Sequence, residues 1–174
     1  DYPLHKCRSI LKNTPISIIG YGPQGRGQAL NLRDNGFNVT IGMRKGSSWD
    51  QALKDGWVEN KSLVSIEEAA SNGNIIQYLL SDVGQIQQWD TVKPHLTEGK
   101  SLYFSHGFGL VFNNRTKINP PSNIDVMLVA PKGAGSTVRT QFEKGSGINA
   151  SYAIHQDFTG NALDKCMALA FGIG

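Results

Sequence analysis

Cysteine is scarce in this sequence: Cys7 and Cys166 are the only two in 174 residues. A disulfide framework and a thiolate metal cage both need several cysteines at short spacing, so neither is available, and the pair reads as free thiols of a reducing compartment. Long apolar runs are also missing. None approaches the roughly 20 residues of a membrane-spanning helix, and no secretory signal is visible, so no membrane partner is expected. Charge of one sign is lacking as well: 17 Lys and Arg face 14 Asp and Glu, for a net charge of +3. The basic residues are scattered instead of striped, which gives a nucleic acid no electrostatic footprint. Internal repeats and low-complexity tracts are absent. The chain opens on Asp1 instead of a methionine, and an upstream piece is expected.

What is present is an ordinary globular composition, 39% hydrophobic with 20 glycines, at a length that suits one domain with a real core. Short β-rich apolar runs alternate with helix-forming segments. Strands are expected at Ile16–Tyr21, Phe37–Met43, Ile75–Leu80, Ser101–Ser105, Ile124–Ala130 and Ser151–His155. Most are nearly unbroken in apolar character, as strands covered on both faces are. Helices are expected over 25–35, closed by Gly36, over 48–55, closed by Gly56, and from Ser65, where Ser65 and Glu68 have capping-box spacing. Further helices are expected over 84–93, 137–144 and 161–171. The alternation implies right-handed crossovers and a Rossmann-like, doubly wound α/β fold, a mostly parallel sheet with helices on both faces. The last helix runs to the end of the chain, where a further strand is expected.

The stretch IIGYGPQGRGQALNLRDNG (residues 18–36) sets Gly20, Gly22 and Gly25 directly after the first strand and at the mouth of the first helix. In G-x-G-x-x-G the first glycine permits the tight turn, the second lets a pyrophosphate approach the backbone, and the third lets helix and sheet pack closely. The free N–H groups and positive dipole end of the helix then hold the phosphates. Dinucleotide sites for NAD usually carry an acid at the end of the second strand, to hold the ribose 2′-hydroxyl. Here that strand runs into GMRKGSSW, with Arg44 and Lys45 in the acid's place, followed by Ser47 and Ser48. Cationic and hydroxyl donors suit a 2′-phosphate, so NADPH is the expected cofactor. The bland alternative is a solvated turn with Ser48 as a helix cap. Asp34 lies in the preceding helix and does not supply the missing acid.

Three more loops follow strand ends, where open α/β sheets place their ligands. LLSDVGQ (79–85) offers Asp82 and Gln85, YFSHGFG (103–109) offers His106, and VAPKGAGSTVR (129–139) offers Lys132 beside Gly133. Each has an unremarkable reading: Asp82 as a helix cap, His106 as a structural histidine, Lys132 as an exposed loop charge. Their convergence at successive strand ends marks them as candidate site residues.

With these motifs in order through nearly the whole chain, the sequence resembles the ketol-acid reductoisomerase (acetohydroxyacid isomeroreductase) family. The matching stretches are GYGPQGRGQALNLRDNGFNV, RKGSSW, LLSDVGQ, LYFSHGFG and DVMLVAPKGAGSTVR. Pro23 departs from the small or polar residue many members carry, and it removes one backbone N–H from the phosphate loop. The resemblance implies a Mg²⁺-dependent alkyl migration in 2-acetolactate or 2-aceto-2-hydroxybutyrate, then hydride transfer from NADPH to give a 2,3-dihydroxy-3-methyl acid for branched-chain amino acids. It assigns Tyr21, Gly22, Pro23 and Gln24 to the pyrophosphate and Arg44, Ser47 and Ser48 to the 2′-phosphate. Asp82 and Gln85 fall on the path toward the nicotinamide, and Gly133 lies close to the cofactor. His106 and Lys132 fall at active-site positions, with their separate roles open. The family's metal carboxylates belong to a C-terminal helical domain absent from these residues, so residues 1–174 are expected to be one NADPH-binding domain without a metal site, inactive alone. A homo-oligomer is expected for the full-length enzyme, in the cytoplasm if bacterial and in a mitochondrion or plastid if eukaryotic. Two alternatives stand beside this: a stand-alone NADPH-binding module without catalysis, and another NADP-dependent hydroxyacid dehydrogenase.

Overall fold

Period-two alternation of apolar side chains decides the layering. In a computed structural model, which describes residues 3–174, the strands are β1 (Ile16–Ile19), β2 (Val39–Gly42), β3 (Leu63–Val64), β4 (Ile75–Tyr78), β5 (Ser101–Phe104), β6 (Asp125–Pro131) and β7 (Ala150–Gln156). Ile16, Ile18, Ile75, Tyr103, Met127 and Val129 enter one apolar layer, whereas Ile19, Ile76, Tyr78, Leu102, Phe104 and Val126 enter the other. Successive strand residues point to opposite faces, so both faces must be covered by helices. The first layer receives α1 (Leu4–Ile10), α2 (Pro23–Asp34), α3 (Ser47–Lys54) and later α9 (Ala162–Gly172). The second receives α4 (Ile66–Asn72) and α5 (Asp82–Val92). Two short helices, α6 (Phe108–Val111) and α7 (Asn113–Thr116), follow β5, and α8 (Gly135–Glu143) packs on α2.

Among the described residues the seven strands form one sheet in the order β3-β2-β1-β4-β5-β6-β7. The first six are parallel and β7 runs antiparallel to β6. This is the doubly wound α/β fold expected from the sequence, with the topological switch between β1 and β4. The expected strands are present: β1, β2, β4 and β5 are trimmed where the chain leaves the sheet to form loops, β6 is shifted by one residue, and β7 extends one residue further at each end. Helix α1 and strand β3 were not legible. The first has too short a pattern to distinguish from a loop, and β3 is two residues that extend only because Leu63 and Val64 pair with Ile41 and Gly42.

The motif NLRDNG at the end of α2 is a set of staples. Asn31 is fully buried; its Nδ2 donates to Ile173 O at 2.7 Å, and its Oδ1 accepts from Arg139 Nη1 at 2.9 Å. Asn35 Nδ2 donates to Gly172 O at 2.9 Å, and Arg33 Nη1 donates to Asp55 O at 2.7 Å. Asp34 pairs with Arg139 at 2.7 Å. Helix α2 is thereby tied to α8, α9 and the end of α3.

A second staple lies at the amino-terminal ends of β5 and β6. Asp125, at the start of β6, is fully buried; its carboxylate accepts from Lys165 Nζ at 2.8 Å, from the Thr159 hydroxyl at 2.7 Å and from Thr159 N at 2.9 Å. Burial pushes its pKa up, but Lys165 and the Thr159 donors outweigh burial and hold it below the ordinary value. A carboxyl depressed in the folded state contributes stability above its unfolded pKa of about 3.9 and loses it as pH falls through the folded value. Asp125→Asn should therefore cost about 3 kcal/mol at pH 7, since it leaves Lys165 without its charge partner. Urea titrations should show the difference from wild type shrinking below pH ~4, as the wild-type carboxyl protonates.

Candidate functional site

The carboxyl ends of the parallel strands gather five loops on one edge. After β1 the chain turns at Gly20, whose φ of +102° belongs to glycine. A Cβ there would also press on Leu79 O at 2.9 Å, from the loop after β4. Gly22 is the N-cap of α2 and is exposed, with open space where its Cβ would stand. A Cβ on Gly25 would collide with Gly20 O. The three glycines thus match the turn, the open approach and the close packing that a phosphate loop needs. Pro23 occupies the first helical position, where a missing N–H breaks no helical bond. The N–H groups of Gln24 and Gly25 belong to the first turn of the helix, where no intrahelical acceptor exists for them.

A cavity of about 490 Å³ runs from this loop to the one after β2, where Arg44, Ser47 and Ser48 line it. Helix α3 is capped by Gly46 without a side-chain bond, so Ser48 is not the cap. Among the described residues Arg44, Ser47 and Ser48 are exposed and have no hydrogen-bond or ion-pair partner. Lys45 differs: its Nζ is 2.8 Å from Glu59 Oε1 and sits 5.4 Å from the centroid of the Trp49 ring.

Tyr21 lines the same cavity beside Gly20 and Gly22. Its side chain is buried, its hydroxyl donates to Asp55 Oδ2 at 2.8 Å, and it accepts from Trp57 Nε1 at 2.7 Å. Burial, with the Asp55 carboxylate beside it, pushes the Tyr21 pKa well above its usual range. Arg26 Nε and Nη2 bind the two Asp55 oxygens at 2.7 and 2.9 Å, and Gln51 Nε2 donates to Asp55 Oδ1 at 3.0 Å. Arg26 chiefly, offset in part by burial, holds the Asp55 carboxyl at about 2. The hydroxyl of Tyr21 is saturated by Asp55 and Trp57, so it has no hydrogen bond to spare for a ligand.

Gln85 is likewise interior. At 1% exposure its Nε2 donates to Tyr78 O and Leu80 O, each at 3.2 Å. It shapes the β4–α5 loop and does not reach the cleft. The cap of α5 is Ser81, whose Oγ accepts from Gly84 N at 3.2 Å. Asp82 is thereby free of that duty, and its Oδ1 lies 3.5 Å from His106 Nε2 with both side chains half exposed. His106 is therefore an edge residue and not a core histidine.

A buried amide ladder sets the spacing of the loops. Gln28, fully buried, donates from Nε2 to Ser105 Oγ at 2.9 Å and Gln24 Oε1 at 3.1 Å, and its Oε1 accepts from the Tyr103 hydroxyl at 3.0 Å. Gln24 Nε2 donates to Gly133 O at 2.9 Å. One helix turn thus holds Ser105, next to His106, and Gly133, next to Lys132, against the phosphate loop. Lys132 itself is exposed, and its backbone N–H bonds Asn149 O at 2.8 Å. The structure therefore brings Gly20–Gly25, Arg44, Ser47, Ser48, Asp82, His106, Lys132 and Gly133 to one edge. The supporting residues Arg26, Gln28, Asp55, Trp57 and Ser105 were not legible, because each acts through a partner distant in sequence.

The fold and this edge define a nucleotide-binding Rossmann-type domain. Comparison with known proteins makes the assignment narrower. The model of the acetohydroxy acid isomeroreductase NADPH-binding domain matches residues 10–174. The chain is 53% identical over its full length to a probable mitochondrial ketol-acid reductoisomerase of Schizosaccharomyces pombe, of which it covers 43%. It is 54% identical to a ketol-acid reductoisomerase (NAD(+)) of Desulfosudis oleivorans, again over its full length and covering 50% of that protein. An NADH-preferring ketol-acid reductoisomerase from an uncultured archean superposes on 95% of this chain with a TM-score of 0.88 at 36% identity, over 50% of its own length. The chain belongs to the ketol-acid reductoisomerase family, and it spans about half the length of these relatives.

Asp55→Asn should loosen the brace between α2 and α3. The expected loss is about 2 kcal/mol, from Arg26 and Tyr21 losing a charged acceptor, and thermal denaturation should show the midpoint falling by about 4–8 °C.

Proposed function

We propose that this chain is the cofactor half of a ketol-acid reductoisomerase that binds NADPH in preference to NADH. The observation that carries this reading is the trio Arg44, Ser47 and Ser48, three exposed donors without protein partners at the head of α3, on the wall of the cavity that begins at Gly22. A 2′-phosphate would satisfy all three, and a bare ribose hydroxyl would leave the guanidinium unpaired. Two relatives are named for NAD(+) or NADH, so the family alone does not decide the cofactor and the loop must.

The other residues fit the same cofactor. The open space at Gly22 and the N–H groups of Gln24 and Gly25 would hold the pyrophosphate at the positive end of α2. Gln24, through Gly133, and Gln28, through Ser105, orient the loops that carry Lys132 and His106. Bound NADPH supplies the hydride. His106, paired with Asp82, is placed to position a substrate or pass a proton at Nε2, and the Lys132 ammonium is placed to balance negative charge. The substrate class is a 2-hydroxy-2-alkyl-3-keto acid, either 2-acetolactate or 2-aceto-2-hydroxybutyrate, converted to a 2,3-dihydroxy-3-methyl acid on the route to branched-chain amino acids.

Magnesium does not fit these residues. Among the described residues no three His, Cys, Asp or Glu side chains converge as a metal site, and hard cations need clustered oxygen ligands. The Mg²⁺ ligands of the isomerisation belong, in this reading, to the further length that the relatives possess, as does a homo-oligomer interface. The S. pombe relative is named mitochondrial, which supports a mitochondrial address if the source is eukaryotic.

Calorimetric titration of the chain with each dinucleotide tests the cofactor reading. NADPH should bind at least about tenfold more tightly than NADH, from charge-assisted bonds of roughly 1.5–3 kcal/mol each before solvent screening. Arg44→Asp should remove that preference, and equal affinities in the wild type would overturn the assignment. With 2-acetolactate and Mg²⁺ added, these residues alone should bind NADPH without oxidising it, as read by NADPH absorbance.

A further inference from the structure

Arg44 and Lys45 are neighbouring cations on one loop, and the structure employs them differently. Arg44 has no partner among the described residues, whereas the Lys45 ammonium is turned onto Glu59 Oε1 at 2.8 Å and over the Trp49 ring at 5.4 Å. Glu59 is not a remote surface acid. It lines, with Arg44, Lys45 and Trp49, a depression of about 530 Å³ that adjoins the cavity of Gly22, Ser47 and Ser48; Arg44 and Lys45 belong to both walls. Glu67 and Glu68 line the same depression, and Glu67 lies 3.7 Å from His95. The loop that would select a 2′-phosphate therefore stands beside carboxylates.

We propose that Lys45 is a specificity-determining residue that acts through Glu59, as a shield and not as a phosphate ligand. With Lys45 in place the Glu59 carboxylate is neutralised where it borders the selecting loop. Without it, Glu59 faces the 2′-phosphate uncompensated and repels it, while NADH, which lacks that group, is untouched. The inference rests on the NADPH reading above. Its physical basis is range: a carboxylate and a phosphate dianion within about one Debye length, ~8 Å at physiological salt, still repel across a protein surface, where the effective dielectric is below that of water, by enough for about a fivefold change in affinity.

The test is a double-mutant cycle on this chain, reading NADPH and NADH dissociation constants by calorimetry for wild type, Lys45→Met, Glu59→Gln and the double variant. Lys45→Met should weaken NADPH about fivefold, less so at 1 M salt, where screening shortens to about 3 Å. NADH binding should stay within about twofold of wild type, because the added repulsion acts only on the phosphate. Adding Glu59→Gln should restore NADPH to within about twofold of wild type, since the carboxylate that repels is gone. Lys45→Arg should keep wild-type affinity. Both side chains are largely exposed, 75% and 41%, so thermal midpoints should not move. A double variant as weak as Lys45→Met would make Lys45 a direct phosphate ligand and overturn the shield. A harmless Lys45→Met would overturn it too. If the wild type binds both dinucleotides equally, the cofactor reading itself fails, and the shield with it, since no discrimination exists to protect.

Discussion

Helix α2 lies so close to its neighbours that side chains are excluded at the points of contact. A Cβ on Gly25 would overlap Gly20 O, one on Gly27 would overlap Gly135 O, and one on Gly135 would overlap the Pro23 carbonyl. Two consequences follow from this one steric fact. The free N–H groups at the start of α2 are held at the exit of β1, where a pyrophosphate can meet them. The α8 N-terminus and the Lys132–Ala134 loop before it are also held within reach of Gln24, whose amide bonds Gly133 O at 2.9 Å. Any larger residue at these contacts would move the cofactor loop and the Lys132 loop apart together.

Charge is arranged around that frame by pairing what the fold needs and leaving open what a ligand would use. Asp34 goes to Arg139, Asp55 to Arg26, Asp125 to Lys165 and Glu59 to Lys45. Arg44 stands apart from this pattern at the head of α3, with two free hydroxyls beside it. In a cavity lined by backbone of the phosphate loop, an unpaired guanidinium is a demand for an anion. The proposed preference of the loop for a phosphorylated ribose rests on this contrast with the ion pairs elsewhere.

Much of this was legible before any coordinates. The mostly parallel sheet and the gathering of loops follow from alternating apolar runs and one glycine pattern, because a right-handed crossover leaves little topological choice. Arg44, Ser47 and Ser48 were legible as candidate site residues because each presents its donors from its own place in the loop after β2 and needs no distant partner to do so. Tyr21 and Gln85 were harder. The family resemblance assigns Tyr21 to the pyrophosphate, and what it does not give is that Trp57 and Asp55, more than thirty residues on, claim its hydroxyl. Gln85 turns inward because the carbonyls of Tyr78 and Leu80 offer its amide an acceptor pair that the cleft does not. The brace of Asp55 and the ladder of Gln28 escaped notice for the same reason: a buried polar side chain is defined by its partners, and no local pattern names them.

A crystal structure of the chain with NADPH tests the central claim most directly, that the edge around the α2 N-terminus is a cofactor cleft selecting a 2′-phosphate. The account expects the pyrophosphate on the N–H groups of Gln24 and Gly25, the 2′-phosphate on Arg44, Ser47 and Ser48, and the nicotinamide end toward His106. A dinucleotide seated elsewhere, or one whose 2′-phosphate points into solvent with Arg44 unengaged, would contradict it.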